Sequence, residues 1–166
     1  MRPSELWFDP ATVSGLLVDT NLLVLFVIGR VNRDRIEQFK RTSKYQKEDY
    51  DLLVRITEQF KRLYTVAHVV AEVSNLTDLS GPKKLRARHV LKEALSVLHE
   101  AEMPSVRAAQ HRLYAGLGLV DSAIASAARD QGCAVLTDDF DLYQSPTRDN
   151  VPVLNFTHLR ASAWGL

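Results

Sequence analysis

The sequence predicts an α/β protein, because apolar runs typical of buried strands flank segments with helical periodicity. Leu16–Val18 is a continuous apolar run of the kind that a strand buried on both faces needs. A second run, at residues 133–136, follows Gly132. Residues 47–63 and 83–100 repeat apolar side chains at helical spacing. A chain of 166 residues with 46% hydrophobic content suits a single core, so we expect one domain over residues 1–166.

Prolines and glycines predict three further boundaries. Pro104 suits the start of a helix, where its missing N–H costs little. The helix expected over residues 120–130 should end with Gly132 at its C-cap. Residues 151–156 are typical of a last strand, and Pro152 near its start predicts a position at the edge of the sheet.

The first apolar run ends on an acid. Asp19 follows Val18 directly, so we expect its side chain at the carboxyl end of a buried strand, where open α/β sheets bind ligands. Asp19 or Asn21 could equally cap the next helix, since aspartate and asparagine are favoured there. Both interpretations stay open on these residues alone.

The second apolar run delivers acids in the same way. Thr137, Asp138 and Asp139 follow Leu136, so a second strand presents carboxylates at its carboxyl end. Just upstream, Asp121 stands in or before the first turn of the 120–130 helix. An N-cap role for Asp121 remains an alternative, although Ile124 stands where a capping box would place glutamate or glutamine.

Glu72 is the fourth acid. Apolar residues at positions 66, 69, 70, 73 and 76 form a helical stripe, and Glu72 lies at its border. A buried glutamate needs a compensating charge, and no lysine or arginine stands three or four residues away. A distant cation, a bound metal or a solvated position at the edge of the stripe would each account for this residue.

These acids, with their neighbours, resemble the motifs of the PIN-domain family of metal-dependent nucleases, and more closely its VapC-like toxin branch. The matching segments lie at residues 18–21, 70–73, 119–125 and 135–139, with the sequences VDTN, VAEV, LVDSAIA and VLTDD. Each motif is short, but the ordered set of four is fairly specific. The resemblance implies a three-layer α/β/α fold around a central, mainly parallel five-stranded sheet.

The resemblance also implies a site. Asp19, Glu72, Asp121 and Asp139 would bind Mg²⁺ or Mn²⁺, with Asp139 chosen over Asp138 by the family's Thr-x-Asp spacing. Residues Asn21, Thr137 and Asp138 would support those acids. A hard divalent cation held by carboxylates supplies what phosphodiester hydrolysis requires, namely a nucleophile from water and relief of charge on the phosphate.

The predicted function is therefore a divalent-metal-dependent nuclease, foremost an endoribonuclease, with the toxin of a toxin–antitoxin pair as one role. RNA is the predicted substrate, and a protein antitoxin and a homodimer stay open as partners. The alternative is a non-catalytic PIN-like binding or assembly module in RNA processing. Dinucleotide binding is not indicated, because no Gly-x-Gly-x-x-Gly follows the first strand. Two segments exceed the compact toxins, an N-terminal extension (1–14) and a charged helical excursion (29–63).

The net charge of +1 argues against nonspecific coating of nucleic acid, yet basic residues concentrate in the excursion. Lys40, Arg41 and Lys44 are candidates for holding a phosphate backbone that the acidic site repels, although such runs are also typical of solvated helix faces. Tyr45 could stack on a base, whereas Tyr50 fits the apolar stripe better.

Other features predict a cytoplasmic protein. The start of the chain lacks the apolar stretch of a signal peptide, and residues 16–28 are too few, and interrupted by Asp19, to span a membrane. Cys133 cannot form an internal disulfide and is expected in the core. The five histidines show no metal-ligand spacing, and only His68, one turn before Glu72, is a candidate for facing the site.

Overall fold

A computed structural model describes residues 6–144 and 150–164. Its centre is a parallel sheet of five strands in the order β3-β2-β1-β4-β5, which confirms the predicted three-layer α/β/α architecture. The strands are β1 (Leu16–Val18), β2 (Leu63–Thr65), β3 (His99–Glu100), β4 (Ala134–Thr137) and β5 (Val153–Asn155).

The two strands that the sequence predicts most clearly lie side by side at the centre. Every residue of β1 and β4 is buried, as expected for strands covered by helices on both faces. Val18 pairs with Leu136, and the Asp19 N–H donates to the Leu136 carbonyl over 3.0 Å. This register places Asp19 and the acids after Thr137 at the same edge of the sheet.

Helices connect the strands and cover the sheet. The first of them is apolar on most of its surface, and nine of its residues are buried between the sheet and its neighbouring helices. The helices are α1 (Thr20–Val31), α2 (Lys47–Thr57), α3 (Ala67–Leu76), α4 (Pro82–Leu95), α5 (Ser105–Ala109), α6 (Tyr114–Leu117), α7 (Leu119–Gln131), α8 (Phe140–Gln144) and α9 (Phe156–Trp164). Among the described residues, no helix is long and apolar enough to cross a membrane.

Two predicted helices are shorter than their periodicity suggests. The 47–63 segment leaves the helical conformation after Thr57, and Leu63 already belongs to β2. The 83–100 segment ends its helix at Leu95, and its last two residues form β3. In both segments the predicted helix is wrong at its carboxyl-terminal end. Strands of two or three residues are too short to show an alternating pattern in the sequence.

Several predicted boundaries are confirmed. Gly132 is the C-cap of α7 and adopts a left-handed φ of 63°, which favours glycine. Pro104 precedes the first residue of α5. The last strand lies at the edge of the sheet, and the Pro152 carbonyl accepts from the Val135 N–H. Cys133 is fully buried.

The two additional segments pack against the core at defined points. Residues 1–5 of the predicted N-terminal extension lie outside the described residues, whereas Leu6 is buried. The 29–63 excursion holds the last turn of α1, a 3₁₀ turn (Arg33–Arg35) and α2. Gly29 lets α1 and α2 approach closely, because a Cβ at this position would lie 2.3 Å from the Tyr50 ring.

Candidate metal centre

An acidic cleft opens at the carboxyl edge of the sheet. It encloses about 130 Å³ and is lined by residues from β1–α1, α3, α7 and the β4–α8 turn: Asp19, Thr20, Asn21, Glu72, Asp121 and Asp139. The four predicted metal-binding acids therefore line one cleft, although they are far apart in the sequence.

Asp19 both caps a helix and faces the cleft. Its Oδ1 accepts from the Leu22 N–H over 2.9 Å and so caps α1, while Oδ2 accepts from the Thr137 hydroxyl and from the Asp138 N–H. The side chain is only 3% exposed. Burial, followed by the nearby negative charge of Asp138, raises the pKa of Asp19 to about 7. The two interpretations that the sequence left open are thus compatible.

Glu72 has a neutral partner. The Thr20 hydroxyl donates to Glu72 Oε2 over 2.8 Å, which orients the carboxylate toward the start of α1. Glu72 is partly buried, and no ion pair joins it to a lysine, arginine or histidine within the described residues. Sequence reasoning missed Thr20, although this residue stands between two candidates within the first motif.

Asp121 is not an N-cap. Gly118 caps α7, and Asp121 lies in the first turn with its side chain toward the cleft. Burial, followed by the charges of Asp139, Glu72 and Asp141, raises the pKa of Asp121 to about 6. After burial, the raised pKa of Asp121 thus reflects repulsion among acids that belong to different elements of the fold.

Asp138 and Asp139 point to different places. Asp139 lines the cleft, and its Oδ1 also accepts from the N–H groups of Asp141 and Leu142, which caps α8. Asp139 therefore both faces the cleft and caps the following helix. The Asp139 N–H donates to the Thr137 hydroxyl over 2.9 Å, so Thr137 connects Asp139 with Asp19.

Asp138 turns away from the cleft toward the excursion. Its Oδ1 accepts from Asn21 Nδ2 over 3.2 Å, and its Oδ2 accepts from the Tyr45 hydroxyl over 2.5 Å. Oδ2 also pairs with Lys44 Nζ, and only 4% of the Asp138 side chain is exposed. Lys44, predicted to bind nucleic acid, is therefore engaged beside the site.

The other candidates divide by exposure. Tyr45 is 1% exposed, so the prediction that it stacks on a base is wrong. Tyr50 packs against Phe26 with ring centroids 6.2 Å apart, in keeping with the apolar stripe. Lys40 and Arg41 are exposed. His68 does not line the cleft, since its Nε2 lies 2.9 Å from the Ser105 hydroxyl.

The acids of the cleft suit a hard divalent cation. They offer carboxylate oxygens, which Mg²⁺ and Mn²⁺ prefer, and their mutual repulsion is what a cation would relieve. Within residues 6–144 and 150–164, no three aspartate, glutamate, histidine or cysteine side chains form a ready-made ligand cluster. The donor chemistry fits a metal, and the cleft is open enough to admit one.

Replacing Asp121 with asparagine should stabilise the metal-free protein. The folded pKa of about 6 exceeds the unfolded value of 3.8, so this residue's favourable contribution is complete below about pH 4 and lost as the pH rises through 6. Allowing for solvent screening, we expect a gain of about 1 kcal/mol at pH 8, or about 2–4 °C in melting temperature.

This stability prediction is checked by thermal unfolding in EDTA at pH 5 and pH 8. The exposed Glu58, which lies outside the cleft, provides the control variant Glu58→Gln. Asp121→Asn should reduce the difference in melting temperature between the two pH values, whereas Glu58→Gln should not. A lower melting temperature for Asp121→Asn at pH 8 would show that Asp121 is instead held by favourable contacts.

Comparisons with known proteins agree with this architecture. The family model for the PIN domain matches residues 16–146, a range that includes all four acids of the cleft. The crystal structure of FitAcB from Neisseria gonorrhoeae is similar in fold, with a TM-score of 0.57 at 21% identity, over 86% of this chain and 99% of that chain. Comparison with curated proteins gives no match. This chain therefore belongs to the PIN-domain family, whose members are generally nucleases and typically use divalent metals.

Proposed function

We propose that this protein is a Mg²⁺- or Mn²⁺-dependent endoribonuclease of the cytoplasm. The observation that carries the proposal is the convergence of Asp19, Glu72, Asp121 and Asp139 on one cleft from four separate segments. A binding or assembly module has no physical need for four acids that repel one another.

In the proposed site, Asp19, Glu72, Asp121 and Asp139 would hold the cation. A divalent cation bound there supplies a nucleophile from water and relieves the negative charge of the phosphate. The remaining residues orient the acids, with the Thr20 hydroxyl fixing Glu72 and the Thr137 hydroxyl fixing Asp19. Histidine and cysteine have no part in this chemistry.

The choice of RNA is tested by offering two substrates of the same sequence, one single-stranded RNA and one single-stranded DNA, in Mn²⁺. The proposal expects internal cleavage of the RNA and little cleavage of the DNA. Preferential cleavage of the DNA would contradict an endoribonuclease but would still agree with a metal-dependent nuclease. Cation binding without cleavage of either substrate would favour the binding-module alternative.

The toxin role is a finer part of the proposal. It rests on the resemblance of the four motifs to the VapC-like branch, and it requires a protein antitoxin as partner. The test is to express this protein in bacterial cells, alone and together with a neighbouring small gene, and to measure growth. Growth arrest that the neighbouring gene relieves would support a toxin, and an absence of arrest would favour a nuclease of RNA processing or decay.

Lys40 and Arg41 are proposed to hold the RNA backbone. They are exposed, and the same segment continues to Lys44, which reaches Asp138 beside the cleft. If both side chains contact phosphates, Lys40→Gln/Arg41→Gln should weaken RNA binding and reduce the slope of log affinity against log salt by about 1.4.

The binding of RNA to an inactive Asp19→Asn background, measured at several salt concentrations, checks this prediction. Mn²⁺ affinity, measured by calorimetry, should remain unchanged in the Lys40→Gln/Arg41→Gln variant. If the slope of log affinity against log salt is unaltered, Lys40 and Arg41 belong to a solvated surface that does not contact the RNA.

A further inference from the structure

The excursion supplies the charge that compensates a buried acid next to the cleft. Asp138 has 4% of its side chain exposed and pairs with Lys44, whose own side chain is 55% exposed. A buried carboxylate without a cation is costly, because burial removes the water that would solvate its charge. The Tyr45 hydroxyl and the Asn21 amide complete its hydrogen bonds.

The position of Lys44 is fixed by buried neighbours. Thr42 is fully buried and donates to the Ile36 carbonyl over 2.6 Å, while the Tyr45 ring packs edge-on against Phe156. The Arg160 guanidinium lies 5.6 Å from the centre of the Tyr45 ring and donates to the Lys44 carbonyl over 3.4 Å. The lysine therefore extends from an anchored backbone.

Asp138 is also joined directly to the cleft. Its backbone N–H donates to Asp19 Oδ2 over 3.2 Å, and its side chain is absent from the lining of the cleft, which contains Asp139 instead. The two adjacent aspartates therefore differ in what restrains them. Contacts with the excursion hold Asp138, whereas the helix cap of α8 holds Asp139.

We infer that Lys44 and Tyr45 are positioning residues of the metal centre, which keep the Asp138 carboxylate out of the cleft so that Asp139 completes the acid set. This inference rests on the proposed function of the cleft. On this inference the excursion positions a carboxylate beside the metal centre, and Lys44 serves that purpose instead of binding phosphate.

Without the Lys44 ammonium, the Asp138 carboxylate keeps only the neutral hydrogen bonds from Tyr45 and Asn21, so a cation in the cleft would draw it toward Asp19. An additional carboxylate in the cleft strengthens cation binding, because affinity rises with the number of charged ligands. The same carboxylate diminishes the positive charge available to a phosphate, which slows cleavage. Tighter cation binding together with slower turnover is therefore the signature of the released Asp138.

The test compares Lys44→Met, Lys44→Arg and the double variant Lys44→Met/Asp138→Asn with the unaltered protein. The control, Lys61→Met, replaces an exposed lysine that precedes β2 and so lies at the opposite edge of the sheet. Calorimetry gives the Kd for Mn²⁺ without RNA, and cleavage assays give kcat and KM separately.

Lys44→Met should lower the Kd for Mn²⁺ and lower kcat by about tenfold or more, the usual scale for a residue that orients a metal ligand. Lys44→Arg should retain the Kd and kcat of the unaltered protein. Adding Asp138→Asn to Lys44→Met should bring both values back toward those of the unaltered protein, while Lys61→Met should change neither. Because the double variant also restores the local net charge, Tyr45→Phe provides the comparison without a change of charge: it removes the hydroxyl that donates to Asp138 Oδ2 and should likewise lower the Kd for Mn²⁺ and kcat. A general change in electrostatic field would leave both values unaltered in Tyr45→Phe.

An unchanged Kd and kcat with a raised KM would overturn the inference and return Lys44 to phosphate binding. A lowered melting temperature with unchanged Kd and kcat would overturn it in favour of a structural ion pair. If the unaltered protein binds Mn²⁺ but cleaves no RNA, the proposed function fails and the Kd values still decide the positioning role. An unaltered protein that binds no Mn²⁺ contradicts both.

Discussion

Asp19→Asn should lower the rate of RNA cleavage by roughly three orders of magnitude, equivalent to about 4 kcal/mol of transition-state stabilisation. Asp19 lines the cleft, is buried to 97% and is hydrogen-bonded through both oxygens, so its carboxylate is held in place at the site. Asparagine removes the charge and keeps the side-chain shape, and single-turnover cleavage measures the loss.

The fold should survive this substitution. Asparagine caps helices about as well as aspartate, so the hydrogen bond to the Leu22 N–H is retained. The Thr137 hydroxyl, which now donates to Asp19, can turn and accept from the new amide. Circular dichroism and thermal unfolding provide the control. Cleavage that continues at the original rate in a folded Asp19→Asn protein would remove Asp19 from the catalytic site.

Asp139→Asn should weaken Mn²⁺ binding by about 100-fold, or about 3 kcal/mol, and Asp138→Asn should have the smaller effect. Both variants remove one negative charge, but only the Asp139 side chain lines the cleft. Asparagine preserves the cap that Asp139 provides for the N–H groups of Asp141 and Leu142, so the substitution isolates the charge.

Calorimetric titration of both variants with Mn²⁺, followed by RNA cleavage, separates the two aspartates. They serve as matched controls for one another, since they are adjacent and chemically identical. A greater loss from Asp138→Asn would reverse their assignment. Normal binding and cleavage in both variants would remove the β4–α8 turn from the metal centre.

The strongest sequence signals came from buried, uninterrupted elements. Leu16–Val18 and the run that begins at Cys133 are apolar because helices cover both faces of the central strands. These two strands pair in parallel, which places Asp19 beside Thr137. Gly132 marked the end of α7 because its left-handed φ of 63° suits glycine. Asp19 and Asp139 could be predicted because they follow such strands, whereas Glu72 and Asp121 lie within helices and were joined to the set by the family resemblance.

The parts that the sequence did not reveal depend on contacts between distant segments. β2 and β3 are two or three residues long, and β3 has both residues exposed, so neither shows a periodic pattern. The family spacing selected Asp139, but the contacts of Lys44 and Tyr45 with Asp138 join segments that lie far apart in the chain, so the sequence did not show them. Tyr45 was a candidate for stacking on a base because the sequence does not show its contacts with the distant Phe156 and Arg160.

The most direct test of the metal-dependent nuclease is cleavage of single-stranded RNA by the unaltered protein through a cycle of cation removal and return. Cleavage should stop when excess EDTA is added and resume when Mn²⁺ or Mg²⁺ is supplied beyond the chelator, with Asp19→Asn inactive throughout. Cleavage that continues in excess EDTA would contradict a cation held by Asp19, Glu72, Asp121 and Asp139 as the source of the activity.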